Sequence, residues 1–198
     1  VGSETLYHTR EMQENGPALL RIKKVSVQGR ARRDSLKNVD LTVFSGEILG
    51  IAGVSGNGQT ALAGVISGML SIESGEVLIE EQPLLDITPA AMISRGVGRI
   101  PEDRHRDGIV GSMSVAENMV IEQLDDPTLQ RNGLLRRDAI RDYAETLSSE
   151  YDVRGPGAQA SARLLSGGNI QKLILARVFV RSPKLILANQ PTRGLDMG

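Results

Sequence analysis

The chain has 198 residues, of which 40% are hydrophobic and only 3% aromatic, enough for one domain with a core of Leu, Ile, Val and Ala. Its net charge of −1 gives no electrostatic case for binding nucleic acid. The absence of cysteine excludes a disulfide framework and thiolate metal sites, and His8 and His105 are too few for a His-based zinc site. Residues 1–18 are polar, without periodicity, and read as a linker or terminal arm; they show no secretory leader pattern. Leu20, Ile22 and Val25 begin a strand, and Leu36–Phe44 alternates in part as a second. Ser45-Gly46 is a turn, and the apolar stretch 47–52 reads as a short strand.

A glycine-rich loop follows, and a helix is expected over 60–68. Residues 48–72 carry no charge and could span a bilayer by length. Six glycines, with Ser55, Asn57, Gln59 and Thr60, argue against a membrane helix, so membrane association is expected through a partner subunit. A turn at Ser74-Gly75 leads into a strand over 76–79. Thr88 then Pro89 read as N-cap and first residue of a helix, and 98–100 is a short strand stopped by Pro101.

The middle third is helical and charged. Ser114 and Glu117 form a capping box opening a helix to about residue 124, broken at Asp125-Asp126-Pro127. Ile140, Tyr143, Ala144 and Leu147 recur at helical spacing and predict an amphipathic helix over 136–149. After the Gly155-Pro156-Gly157 loop come a helix over 169–180 and a buried strand over 185–188. The order predicts an α/β layered core with an inserted helical subdomain.

Gly53, Val54, Ser55, Gly56, Asn57, Gly58, Gln59 and Thr60 lie between a predicted strand and a predicted helix, the context of a phosphate-binding loop of pattern G-x-x-x-x-G-K-S/T. Glycines let backbone N–H groups curl around an anion, the helix start adds its dipole, and Thr60 would offer a hydroxyl to Mg²⁺. Gln59 stands where the pattern calls for lysine. Losing a charge-assisted hydrogen bond of roughly 1.5–3 kcal/mol weakens binding by about 10- to 100-fold. A plain glycine-rich turn without a ligand explains the loop equally well. Leu165, Ser166, Gly167, Gly168 and Asn169 precede the 169–180 helix and make a second anion-binding helix start. An ordinary N-cap accounts for Ser166 but not for the paired glycines. Asn189 and Gln190 end the last apolar strand, where ligands bind in open α/β sheets.

These motifs, in this order, resemble the nucleotide-binding domain of ABC transporters over residues 19–198. The first loop resembles Walker A, residues 165–169 the signature L-S-G-G-Q with Asn169 for Gln, residues 185–190 Walker B, and Gly194-Leu195-Asp196 the D-loop. The run from Leu165 through Gln171 and Lys172 to Arg177 is similar to importers of simple sugars and nucleosides, as are Pro101-Glu102-Asp103-Arg104 and Pro191-Thr192-Arg193. In those importers one polypeptide carries two ATP-binding domains, and this chain resembles the second.

The resemblance implies a P-loop core with an antiparallel β subdomain and a helical subdomain at about 103–160 that docks on the membrane subunit. It also implies ATP and Mg²⁺ as cofactors, with Thr60 and Asn189 toward the metal. The implied partners are a second ATP-binding domain, transmembrane permease subunits and, indirectly, a solute-binding protein, at the cytoplasmic face of the membrane. The switch histidine and last strands of the family are expected beyond Gly198.

Departures from the pattern fall on one function. Gln190 replaces the catalytic glutamate, Asn189 the Walker B aspartate, Gln59 the lysine; no adenine-stacking aromatic stands near residues 27–30, and Glu102 takes the Q-loop position. Ser166, Gly167, Gly168, Asn169 and Gln171, with Asp196, serve the opposing domain's ATP in the family and are nearly intact. The leading expectation is an importer half that lends its signature to a partner site. The alternatives are a non-hydrolysing regulatory or scaffold domain that only docks to partners, and an ABC protein of DNA repair or translation.

Overall fold

The computed structural model describes residues 15–29, 35–54 and 56–191. Their fold divides into two compact units: Ile72–Leu85 with the described residues up to Gln59, and Thr60–Ser71 with those from Asp86 onward. The first 14 residues lie outside the described residues, so the expected arm is not addressed by the structure.

The first unit is a four-stranded antiparallel sheet in the order β2-β1-β3-β4. Its strands are β1 (Ala18–Val27), β2 (Leu36–Phe44), β3 (Ser74–Ile79) and β4 (Gln82–Pro83). Leu20 and Ile22 are buried by simple alternation, whereas Val25 and Val27 are one residue out of phase with them. A β-bulge restores the match. The register shifts between Ile22 and Val25, where Lys24 adopts φ 47°, and all four side chains stay buried. Gly75 passes so close to Lys23 and Lys24 that a Cβ would lie 2.5 Å from the Lys23 carbonyl oxygen.

The expected strand at 47–52 does not form. None of the described residues pairs with this segment, and Ile48, Ile51 and Val54 are exposed. An apolar run becomes a strand only when a neighbour takes its backbone hydrogen bonds.

Helix α1 (Gln59–Ile66) follows the glycine-rich loop and from Thr60 onward belongs to the second unit. α2 (Pro89–Ser94) is capped as predicted, with Thr88 Oγ1 accepting from the Ala91 N–H at 3.2 Å. β5 (Val97–Ile100) pairs in parallel with β8 (Leu185–Ala188). The prediction of a buried last strand fails: β8 pairs on one edge among the described residues, and Ile186 is 40% exposed.

The helical core of this unit comes from α3 (Val115–Val120), α4 (Arg137–Glu150) and α5 (Gly167–Phe179). Met119, Ala144, Leu147, Ile170, Leu173 and Ile174 pack together in it. The capping box on α3 is present, with Ser114 accepting from the Glu117 N–H and Glu117 accepting from the Ser114 N–H at 2.7 Å. α3 ends at Val120, earlier than its sequence suggests, because the chain turns at once: the Gln123 N–H bonds the Val120 carbonyl and its amide bonds the Tyr143 hydroxyl.

Two elements escaped the sequence reading. A small hairpin joins β6 (Gln130–Arg131) to β7 (Leu134–Leu135) through Asn132 and Gly133, both at positive φ. Asn-Gly is the strongest short hairpin signal and was there to be read. A π-helical turn, Arg104–Gly108, follows β5, started by Asp103, whose carboxylate accepts from the His105 and Arg106 N–H groups. Those bonds, the Arg106 one foremost, hold the Asp103 pKa below its ordinary value.

Candidate phosphate-binding surfaces

Gly53 to Gln59 lie in the first unit, exposed except at Gly56, Gly58 and Gln59; Ser55 lies outside the described residues. Gly56 (φ 87°) and Gly58 (φ 82°) take the left-handed backbone of a phosphate-binding loop, and a Cβ on Gly58 would press on Leu36 and Ser35. Gln59 folds back over the loop: its Nε2 lies 3.0 Å from where a Gly53 Cβ would stand. Thr60, in the other unit, is exposed in the first turn of α1.

In the second unit, the paired strands bring three predicted residues to one edge. Ile100 lies opposite Ala188, and the Asn189 N–H donates to the Ile100 carbonyl at 3.0 Å. Glu102, Asn189 and Gln190 thus follow the carboxyl ends of neighbouring strands. Gln190 is exposed and held at φ 44°, a strained conformation for glutamine.

The start of α5 is the better-defined surface. Ser166 caps it, its Oγ accepting from the Asn169 N–H at 3.4 Å. The Asn169 Nδ2 donates to the same Oγ at 2.9 Å, and Asn169 Oδ1 accepts from the Arg154 N–H at 2.8 Å. Gly167 lies beside the Arg104 guanidinium: a Cβ there would stand 2.6 Å from Nη2, a side-chain tip that can swing aside. At Gly168 nothing stands within 4 Å of the Cβ position. A helical glycine costs roughly 0.5–1 kcal/mol relative to alanine, and no steric reason for it appears among the described residues. No acidic residue sits in the first turn to repel an anion. Gln171, by contrast, is buried within this chain, away from the exposed Ser166 and Gly168.

The other end of α5 holds a polar cluster that the motif reading missed. Arg177 is buried, donating to the Gly108 carbonyl at 2.8 Å and the Asn118 carbonyl at 3.2 Å, with its Nε 3.1 Å from Glu122. Burial lowers the Arg177 pKa and Glu122 pushes it back up. Asn118 bonds the Val110 N–H and the Val110 and Ser114 carbonyls, so the chain after the π-turn is laced to α3 and α5. A sequence signal existed: Ile170, Leu173, Ile174 and Arg177 share one helical face, which places an arginine on an apolar stripe.

The donors these surfaces offer are backbone N–H groups and hydroxyls. Toward Mg²⁺, Thr60 and Asn189 offer neutral oxygens, and no cluster of three His, Cys, Asp or Glu occurs among the described residues. Asp196 and the D-loop lie outside those residues.

A profile of the ABC transporter family matches residues 36–193. The chain belongs to that family. This ABC domain is 41% identical over 91% of its length to the nucleoside import ATP-binding protein NupA of Lactococcus lactis subsp. cremoris. It is 43% identical over 100% of its length to the glucose import ATP-binding protein TsgD13 of Haloferax volcanii. It spans only 36% of the length of either relative. Among solved structures, a nucleotide-free ATP-binding cassette from an ABC transporter aligns with TM-score 0.68 at 22% identity, covering 89% of this chain and 70% of that one. A dimeric cassette in a post-hydrolysis state bound to ADP and Pi aligns with TM-score 0.68 at 23% identity, covering 90% and 77%. These likenesses establish the P-loop ABC cassette fold.

Proposed function

We infer that this domain works as one half of an ATP-driven importer for a simple sugar or a nucleoside, the second half in a tandem chain. Here it lends its signature helix to the ATP held by the other half, while its own pocket binds nucleotide weakly and turns it over slowly. One observation carries this reading. The start of α5 is capped, free of acidic side chains and open at Gly168, whereas Gln59, Asn189 and Gln190 are all neutral.

The chemistry follows from those residues. Ser166 and the first-turn N–H groups of α5 donate hydrogen bonds to the terminal phosphate of the partner's nucleotide, stabilising charge as it shifts toward the leaving group. On its own side, Gln190 keeps the shape of a glutamate but cannot take a proton from water at neutral pH. Asn189 likewise supplies no charge to a metal. No helix of the described residues is long and apolar enough to cross a membrane. In this reading permease subunits form the membrane path and this domain sits on their cytoplasmic face, as the import function of its relatives suggests. Similarity to nucleoside, glucose and ribose import proteins supports the solute class.

A non-hydrolysing docking domain is the second reading, favoured by the Gln59 amide lying across Gly53. Calorimetric titration of the domain with Mg-ATP separates the two. Weak, saturable binding supports the first, and no binding supports the second. Turnover by the isolated domain at the rate of the full-length protein contradicts both.

A further inference from the structure

Asn169 departs from the family's signature, which carries glutamine, and its side chain is engaged entirely within this chain. The amide cannot be turned around: the Arg154 N–H is a donor, so the atom facing it at 2.8 Å is the carbonyl oxygen, which leaves Nδ2 facing Ser166 at 2.9 Å. The chain beside Arg154 is tied to α5 through Asp152. Lys172 bonds both the carbonyl and the carboxylate of Asp152, and Gly155 lies against Leu165, where a Cβ would come within 2.4 Å of Cδ2.

A serine oxygen has two lone pairs and one hydrogen. Here both lone pairs are taken, by the backbone N–H and the Nδ2–H of Asn169. The Ser166 hydrogen must therefore go to an acceptor elsewhere, and a phosphate oxygen, which accepts only, is such a group. Asparagine's short stem keeps the amide within reach of residue i−3 on its own helical turn.

The geometry points to Asn169 as a positioning residue, one that orients the Ser166 hydroxyl as a donor toward phosphate and does not touch the nucleotide. This rests on the reading of the α5 start as a phosphate-binding surface for a partner's ATP.

The test uses ATPase kinetics of the full-length protein carrying Asn169→Ala, Asn169→Asp, Ser166→Ala or Ser166→Ala with Asn169→Ala, each checked for an unchanged thermal midpoint. Asn169→Ala is expected to lower kcat/KM by about 3- to 10-fold, the worth of one hydrogen bond. In the Ser166→Ala background the same change has no further effect, since Asn169 acts through that hydroxyl. Asn169→Asp keeps the Arg154 bond and the shape, yet its carboxylate captures the Ser166 hydrogen and adds charge beside the phosphate surface, so activity falls below that of Asn169→Ala while stability holds. The discriminating readout is the Ser166→Ala background, where a purely structural role of Asn169 would still lower activity. Losses that add in the double variant, or full activity in Asn169→Ala or Asn169→Asp beside an impaired Ser166→Ala, overturn the inference. An unchanged rate in Ser166→Ala alone overturns the underlying reading of the signature surface, and the inference with it.

Discussion

Replacing Arg177 by methionine fills nearly the same volume and removes only the guanidinium. Its two carbonyl partners, Gly108 at 2.8 Å and Asn118 at 3.2 Å, then lose their donors in a buried setting. Unsatisfied buried groups of this kind cost about 1–3 kcal/mol each. Glu122 loses its 3.1 Å partner but keeps Arg181 at 3.4 Å, which limits the charge penalty. The sum falls in the range of about 3–5 kcal/mol seen when one partner of a buried ion pair is removed. For a domain of this size that is a fall in Tm of roughly 6–20 °C. Urea denaturation gives the free energy, and amide exchange at Val110, whose N–H bonds Asn118 at 2.7 Å, gives the local consequence. The double variant Arg177→Met with Glu122→Gln should lose less than the sum of the single changes, with a coupling of about 0.5–3 kcal/mol. A loss below about 1 kcal/mol for Arg177→Met, or additive losses, would refute the claim that this cluster pins the π-turn to α5.

Other expectations are more local. Gly168→Ala should stabilise the fold by up to about 1 kcal/mol in urea denaturation, yet lower ATP turnover of the full-length protein, because the space it fills is needed by a partner. Gly68→Ala should cost more than about 2 kcal/mol, since φ is +74° and the Cβ would lie 2.3 Å from the Thr88 carbonyl carbon. Gly64→Ala meets only the Leu70 side chain, at 2.7 Å, and should be far milder by the same assay. Ser114→Ala should cost about 1 kcal/mol through loss of the α3 cap. The backbone N–H and then the hydroxyl of Ser114 hold the Glu117 pKa below its ordinary 4.5. Its contribution is therefore full above pH 4.5 and is lost as pH falls through the lower folded value. Glu117→Gln should flatten that acid limb in a pH series of thermal melts.

Much of the fold was legible because local rules and tertiary structure agree. Thr88-Pro89, the Ser114–Glu117 box and the 140, 143, 144, 147 stripe all produce the elements they predict. The failures are where an element depends on a neighbour that pattern cannot supply. Among the described residues, stretch 47–52 has strand composition but no strand partner, and 185–188 is apolar but paired on one side only. The β1 bulge at Lys24 was hidden because alternation simply breaks there. At the site, the helix cap at Ser166 was readable from its place before the α5 stripe. The burial of Gln171 was not readable, because a motif fixes spacing and not which helical face is buried. The Asn169–Arg154 bond joins residues 15 apart and has no sequence signature.

The central claim is that function is kept on the side offered to a partner and lost on the domain's own side. The most direct measurement is steady-state ATPase activity of the full-length protein with Gln190→Ala or Gly168→Asp. The account predicts a rate within about twofold of the parent for Gln190→Ala, whose position performs no proton transfer. It predicts a fall of at least about tenfold for Gly168→Asp, which sets a carboxylate where the phosphate docks. A collapse on Gln190→Ala, with Gly168→Asp unaffected, would contradict it.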